Sequence, residues 1–253
     1  MKLRLEGKSL IITGASSGIG KAAAIGAAEQ GASVILADVN DTAGSALAGE
    51  LLEAGHKARF VHCDIANPDD VAAMVRAAVE SYGRLDGAFN NAGVPNANLR
   101  LTDTPLEVFQ HTHAVKSTGT FLCLKAEIEA MLKTGGGSIV NTSSSGAIAT
   151  LPNMTDYGSA KAAVLAMTRS AALEYGRAGI RVNAILPGPT ETKMLLERMA
   201  EHPEMLTSFV ASLPTGRIAS AREVANVALW LLSDEASVVT GASIPADGGL
   251  TIL

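Results

Sequence analysis

Six short apolar runs recur along the chain, and each is followed by a longer stretch with apolar positions at helical spacing. They run from Ser9 to Thr13, Ser33 to Ala37, Ala58 to Cys63, Leu85 to Asn90, Ser138 to Thr142 and Arg181 to Leu186, with turn signals at their borders. Strands alternating with helices predict an α/β fold around one parallel sheet. A shorter run from Ser243 to Pro245 makes a seventh strand. Longer helices are predicted from about Leu106 to Leu132, Asp156 to Arg177 and Ala221 to Leu232. The crossovers should be right-handed, and ligand should sit beyond the carboxyl ends of the strands where the winding reverses.

Between Pro187 and Thr215 the rhythm breaks. This stretch holds Pro189, Pro203 and Pro214, with Met194, Leu195, Leu196, Met199, Met205 and Leu206 between them. Two readings are open: a mobile substrate lid over about 189–215, or an ordinary helical excursion packing its own core. No linker divides the chain, so 1–253 reads as one dinucleotide-binding and catalytic domain.

Hydrophobic residues make up 47% of the chain and aromatic ones only 4%, which suits buried parallel strands covered by Ala-rich helices of a doubly wound sheet. A net charge of -5 without a basic stripe argues against nucleic acid or an anionic membrane as partner. The first eight residues offer neither a signal-type apolar core nor a membrane span, and the protein reads as cytoplasmic. Cys63 and Cys123 lack metal-like spacing, so they read as buried reduced thiols and no metal is expected.

Directly after the first strand comes Thr13-Gly14-Ala15-Ser16-Ser17-Gly18-Ile19-Gly20, then an Ala-rich helical run. Glycines there permit a tight turn and close approach of backbone to a pyrophosphate, whose charge the helix N-terminus favours. Asp38 closes the second strand, where it can accept hydrogen bonds from the adenosine ribose hydroxyls and repel a 2′-phosphate. With no Arg or Lys between Thr13 and Gly20 or immediately after Asp38, NAD is expected over NADP. Asp64, followed by Ile65, either meets the adenine amino group or turns the Asn67-Pro68-Asp69-Asp70 segment. After the fourth strand, Asn91, Ala92 and Gly93 let backbone lie against adenosine, while Asn90 serves the cofactor or braces neighbouring strands.

Tyr157 and Lys161 are four positions apart, which on a helix puts a phenol and an ammonium on one face. A free phenol titrates near about 10, so it is a poor base unless a nearby cation stabilises its anion. Lys161 is the expected cation, with Tyr157 as general acid or base.

Taken together, Thr13 to Gly20, Asn90-Asn91-Ala92-Gly93, Ser143-Ser144-Ser145, Tyr157-Gly158-Ser159-Ala160-Lys161 and Pro187-Gly188 resemble the short, single-domain branch of the short-chain dehydrogenase/reductase family, over nearly the whole chain. The resemblance implies a Rossmann-type sheet, a nicotinamide cofactor, hydride transfer at a carbon bearing oxygen and usually a homotetramer. It selects Ser144, thirteen positions before Tyr157, to orient the substrate oxygen, with Ser143 and Ser145 as neighbouring alternatives. It assigns Lys161 to the nicotinamide ribose as well, and Pro187, Gly188, Thr190 and Thr192 to the segment over the nicotinamide, the Thr192 hydroxyl meeting the carboxamide. Asn96, Leu151, Met154, Met194 and Leu195 would then line a mostly apolar pocket, suited to an alicyclic, steroid-like or aryl secondary alcohol or ketone. The apolar surplus of Ala225, Val227, Ala228, Leu229, Trp230 and Leu231 favours a subunit contact, and the tail from Leu250 to Leu253 either reaches a neighbour or finishes the fold.

One position departs from the family pattern. Where relatives place a catalytic asparagine, which helps hold a water connecting the active-site lysine to a proton relay, this chain reads Val115-Lys116-Ser117-Thr118-Gly119. Lys116 swings away and leaves a poorer relay, or rests neutral beside Lys161 and joins the relay, or disables the site. The expected function is an NAD-dependent secondary alcohol dehydrogenase or ketone reductase. Its rivals are a catalytically impaired dinucleotide-binding sensor or scaffold, and a 3-oxoacyl-carrier-protein reductase.

Overall fold

Strands with apolar residues on both faces have to be covered on both, and the sheet obeys. In β1 (Ser9–Thr13) all five residues are buried. Leu10 and Ile12 enter one core with Val34, Leu36, Phe89 and Val140, while Ile11 enters the opposite core with Ile35, Ala88, Ile139 and Val182. The alternation follows from the two-residue repeat of a strand. The structure is a computed structural model that describes residues 3–201 and 203–252, without the side chains of 194, 198, 200, 201, 203–206 and 209. Met194, Met205, Leu206 and the last residue, Leu253, fall at least in part outside the described set.

In chain order the sheet and its cover are β1, α1 (Gly18–Glu29), β2 (Ser33–Asp38), α2 (Asp41–Glu53), β3 (Lys57–His62), α3 (Pro68–Tyr82), β4 (Gly87–Asn90), α4 (Leu106–His113), α5 (Gly119–Thr134), β5 (Gly137–Thr142), α6 (Thr155–Tyr175) and β6 (Ile180–Pro187). The chain continues through β7 (Thr190–Glu191), α7 (Lys193–Glu201), α8 (Pro203–Ser212), β8 (Ala219–Ser220), α9 (Ala221–Leu232) and β9 (Ser243–Ala246). Seven strands lie in the order β3-β2-β1-β4-β5-β6-β9, every pairing parallel, which is the Rossmann-like arrangement. The winding reverses between β1 and β4. The glycine loop leaves one of these strands and the Asn91 turn leaves the other.

Two sequence expectations need adjustment, the end of the third strand and the continuity of the long helix. The third strand ends at His62, so Cys63 lies one residue beyond it, its N–H donating to the Asp38 carbonyl at 3.0 Å. Both cysteines are free and buried, and burial pushes the Cys63 thiol up to about 12. The long helix predicted from Leu106 is broken by one π-helical turn, Ala114–Thr118, between α4 and α5. Ser117 and Thr120 donate their hydroxyls to the carbonyls of His113 and Lys116, both at 2.8 Å, competing with the ordinary helical ladder there.

The apolar surplus of α9 is used inside the chain. Ala225, Ala228, Leu229 and Leu231 are buried, with Val227 and Trp230 half-buried against the same core. The helix is wedged between sheet and α1, where a Cβ on Gly26 would stand 2.8 Å from a Leu229 methyl. The sheet and α1 cover two faces of the helix, and Val227 and Trp230 stay partly exposed. The stretch where the rhythm breaks is helical and carries a small core, in which Met199, Leu213 and Ile218 are buried and Leu195 and Leu250 pack against them. β7 pairs with β8 in a two-stranded sheet that ties the ends of this stretch together. Leu250 therefore finishes the fold, while Ile252 is 77% exposed. Among the described residues no helix is long and apolar enough to cross a membrane, and no cluster of His, Cys, Asp or Glu could hold a metal ion.

Candidate active site

The glycine loop is shaped by what its residues lack. Gly14 and Gly18 take positive φ of 65° and 53°, and a Cβ on Gly14 would stand 2.9 Å from the Ala92 Cα. One on Gly20 would collide with the Gly14 carbonyl oxygen. Thr13 joins the two sides of the switch point, its Oγ1 accepting from Asn91 N at 3.0 Å and Ala92 N at 3.1 Å. Asn91 returns a bond from Nδ2 to the Thr13 carbonyl at 3.3 Å. At the start of α1, Ser17 makes no side-chain cap and the first turn holds no acidic residue, so the helix presents bare N–H donors where a pyrophosphate would need them. These features, and the cradle that a Cβ would fill, fit a dinucleotide.

Asp38 stands at the carboxyl end of β2 with Oδ2 accepting from Ser16 N at 2.9 Å and Oδ1 from Asn40 N at 3.0 Å. Each oxygen keeps a lone pair, so the carboxylate is held in place and can still accept from a ligand. Capping of α2 falls to Asn40, whose side chain accepts from Ala43 N. Asp64 turns the loop after β3, accepting from Ala66 N at 2.9 Å while its own N–H donates to Asp70 at 3.0 Å. Ile65 is buried beneath α5, where a Cβ on Gly119 would stand 2.8 Å from its Cγ1. Asn90 braces: its Nδ2 donates to Glu127 at 2.9 Å and to Asn141 at 3.0 Å, both buried.

At the other end of the switch point, α6 presents Tyr157 and Lys161. Ser144 is buried just beyond β5 and accepts from Gly146 N at 3.1 Å, and a Cβ on Gly146 would touch both its Oγ and the Tyr157 ring. Ser143 instead donates to the Lys161 carbonyl at 2.8 Å. Ser145 is buried at the head of the following 3-10 turn. Lys161 Nζ donates to the Thr142 carbonyl at 2.6 Å.

Burial dominates the electrostatics of this end. Burial raises the Tyr157 phenol above its ordinary value of 10.0, with the Ser144 hydrogen bond pulling the other way. Lys161 is brought down to about 7, first by burial and then by the charge of Lys116. The Lys161 ammonium is itself short of solvation and turned to Thr142.

Lys116 does not swing away. It is 2% exposed, its Nζ lies 4.7 Å from the centroid of the Tyr157 ring, and it donates to the Val94 carbonyl. Burial brings it down to about 8, with Asp156 favouring its charge. The buried Asp156 also accepts from Thr112 Oγ1 at 3.0 Å and Ala97 N at 3.3 Å, which ties the 94–97 segment and α4 to α6. Sequence reading missed Asp156, Thr13 and the Val94 carbonyl. The signals were Asp156 in the first turn of α6 and Thr13 at the mouth of the glycine loop.

Other pocket residues scatter. Asn96 lines an open cleft of about 480 Å³ with Val94, Ala97, Val108, His111 and Thr112. Met154 heads α6 close to Gly146, Leu151 is 56% exposed, and Leu195 packs against the small core of the 189–215 stretch. Pro187 ends β6, and Gly188 lies so close to Asp247 that a Cβ would stand 2.8 Å from its Cα. Thr190 donates to the Gly188 carbonyl at 2.9 Å. Thr192 accepts from Leu195 N at 3.4 Å, and its methyl approaches Gly18, so the 189–215 stretch begins over the glycine loop.

Comparison with known proteins agrees with this geometry. A family model described as enoyl-(acyl carrier protein) reductase matches residues 14–251. A 2,5-dichloro-2,5-cyclohexadiene-1,4-diol dehydrogenase of Sphingobium indicum is 45% identical over 251 residues, 98% of this chain and 99% of that enzyme. A cyclohexanol dehydrogenase of an Acinetobacter species is 38% identical, covering 99% of this chain and 98% of its own. The crystal structure of a levodione reductase superposes with a TM-score of 0.94 at 35% identity, covering 98% of each chain.

Proposed function

The chain belongs to the short-chain dehydrogenase/reductase family of oxidoreductases, and from that premise we propose that it interconverts a cyclic secondary alcohol and its ketone with NAD(H) in preference to NADP(H). The observation that carries this reading is that the Ser144 hydroxyl and the Tyr157 ring meet at Gly146, with Lys161 one helical turn further along α6. Bound against the glycine loop, the nicotinamide cofactor supplies or accepts the hydride. The remaining chemistry belongs to the chain. Ser144 donates to the substrate oxygen and fixes its direction. Tyr157 gives the proton to that oxygen in reduction and takes it in oxidation. Its raised phenol keeps it protonated in the resting chain, the form that reduction needs. Lys161 holds the nicotinamide ribose and supplies positive charge beside the phenol when it ionises.

On the cofactor side, Gly14, Ser16, Ser17, Gly18, Ile19 and Gly20 receive the pyrophosphate, and Asp38 receives the adenosine ribose. Asp64, Ile65, Asn91, Ala92 and Gly93 border the adenosine half, and Pro187, Gly188, Thr190 and Thr192 the nicotinamide half. We read residues 1–253 as one domain, with 189–215 as the substrate lid and Asn96, Leu151, Met154, Met194 and Leu195 around the substrate. A homotetramer in the cytoplasm belongs to the same reading and rests on kinship. The named relatives act on cyclic alcohols, and this chain's apolar pocket residues suit such a ring. A carrier-protein substrate would need a basic entry face, which the net charge of -5 disfavours.

The test is a spectrophotometric screen of NAD and NADP reduction over alicyclic, aryl and straight-chain secondary alcohols. Turnover of alicyclic alcohols with NAD is expected. Tight NADH binding with no turnover on any alcohol would identify a sensor or scaffold instead.

A further inference from the structure

Glu127 is a fully buried carboxyl on α5 that the proposed chemistry does not use. The hydrogen bonds around it fix how each neighbouring amide is turned. Thr168 gives its hydroxyl proton to the Val164 carbonyl at 2.8 Å, so its oxygen can only accept, and Asn141 Nδ2 donates to it at 2.9 Å. Asn141 therefore turns its Oδ1 to Asn90, whose Nδ2 donates to it at 3.0 Å. The second N–H of Asn90 Nδ2 goes to Glu127 Oε2 at 2.9 Å. Both Asn90 side-chain donors are then used. Two buried acceptors are left, Asn90 Oδ1 and Glu127 Oε1, and among the described residues neither has a donor. Two orphaned acceptors, on two side chains already joined by one hydrogen bond, lack a single proton between them.

We propose that Glu127 is a neutral carboxylic acid whose O–H donates to the Asn90 side-chain carbonyl, and that this reciprocal acid–amide pair makes Glu127 a positioning residue for the dinucleotide cleft. The consequence for the cofactor rests on the dinucleotide reading, and the pair itself does not.

The pair sits where the two halves of the site are joined. Asn90 is the last residue of β4, and Asn91 after it donates its N–H to Thr13 at the mouth of the glycine loop. Asn141 precedes Thr142, whose carbonyl receives Lys161 Nζ and whose hydroxyl donates to Asn91 Oδ1 at 3.4 Å. One protonated side chain from α5 thus holds the carboxyl ends of β4 and β5 together. Ionised, it would leave a carboxylate oxygen and an amide oxygen buried and unpaired, and the strand ends would have to shift.

The groups facing Glu127 favour the neutral form. On α5 itself the titratable neighbour is Cys123, one turn earlier, and beyond β3 it is Cys63. Burial pushes Cys63 up to about 12 and Cys123 well above its ordinary value, so both stay uncharged. From β4, β5 and α6 come Asn90, Asn141 and Thr168, and α3 brings Met74 and Val75 to the same core. Among the described residues no Lys or Arg holds the Glu127 anion, and burial raises the carboxyl to about 7. The pair is therefore complete below that value and lost as pH rises through it.

The experiment is an NMR titration of the chain without cofactor, 13C-labelled at the glutamate carboxyls and 15N-labelled at the asparagine side chains. The Glu127 signal is identified by its loss in Glu127→Gln, and the Asn90 signal by its loss in Asn90→Ser. Glu127 is expected to titrate at about 7, with the Asn90 amide moving at the same midpoint. NADH affinity is then measured by fluorescence at about pH 6 and about pH 9. Glu127→Gln offers an amide N–H in place of the acid O–H and cannot ionise, so it should match the parent at the lower pH. At the higher pH the parent should bind about tenfold more weakly than Glu127→Gln, the scale of one buried group left unpaired. A Glu127 that titrates with the exposed glutamates overturns the proposal. So does an Asn90 amide that does not follow Glu127, or a Glu127→Gln chain that fails to fold. A pair that titrates as expected, with NADH affinity equal in parent and variant at both pH values, overturns the positioning role. The titration needs no cofactor, so failure of the dinucleotide reading and failure of the pair are separate results.

Discussion

The two ends of the switch point are built on opposite principles. The glycine loop works by absence: Gly14, Gly18 and Gly20 leave room where any Cβ would strike backbone or be strained, and the start of α1 leaves its N–H groups uncapped. The Tyr157 end works by crowding, with a phenol, two lysines, a serine and the carboxylate of Asp156 drawn into a poorly solvated space. Substitution should therefore break the first end through shape and the second through charge. That difference is open to measurement.

The largest effect is expected from Gly20→Val, because the added side chain meets the Gly14 carbonyl directly. Urea unfolding should show a loss on the order of 3 kcal/mol or more, with dinucleotide binding lost alongside. Next, Tyr157→Phe should leave stability nearly unchanged and lower kcat by about 10²- to 10⁴-fold, as removal of a proton-transfer group does. If instead Tyr157→Phe destabilises the chain as much as Gly20→Val does, the division between shape and charge fails. Asp38→Ser keeps a small acceptor but loses the charge. It should narrow the preference for NADH over NADPH by about tenfold in equilibrium binding, the scale of one charged hydrogen bond.

The smallest effect comes from a charge outside both ends. Glu127 is buried beside Asn90 and Asn141, and burial raises its carboxyl from 4.5 to about 7, with the Asn90 hydrogen bond opposing. Between those values the folded chain binds more protons than the unfolded one. The stability contribution is therefore fully present below 4.5 and is lost as pH rises through about 7. Glu127→Gln should unfold at a higher temperature than the parent near pH 8, with the gap closing near pH 4.5.

Legibility in the sequence follows the same division. Strand runs such as Ser9 to Thr13 and the glycine loop are local: apolar continuity and the need for a missing Cβ are visible residue by residue. The Tyr157–Lys161 pair was visible for the same reason, since helix geometry fixes neighbours four positions apart, whereas Ser144 was reached only through the family resemblance. The fate of Lys116 was not. Whether an ammonium swings to solvent or is buried depends on the π-helical turn at Ala114–Thr118, on the Val94 carbonyl and on Asp156, all of which become neighbours only on folding. The packing of α9 was hidden for a related reason, because its cover by both the sheet and α1 exists only in the folded chain. The surroundings of the pocket residues were hidden as well: Leu195 packs against the small core of the 189–215 stretch, and Asn96 lines a cleft beside α4.

The central claim is that Tyr157 moves the proton of a cyclic secondary alcohol while NAD takes the hydride. Its most direct test is single-turnover NADH formation from an alicyclic alcohol, comparing the parent chain with Tyr157→Phe at matched cofactor occupancy. The account predicts rapid NADH formation in the parent and near-complete loss in the variant, with cofactor affinity retained. Equal rates in the two proteins would contradict it.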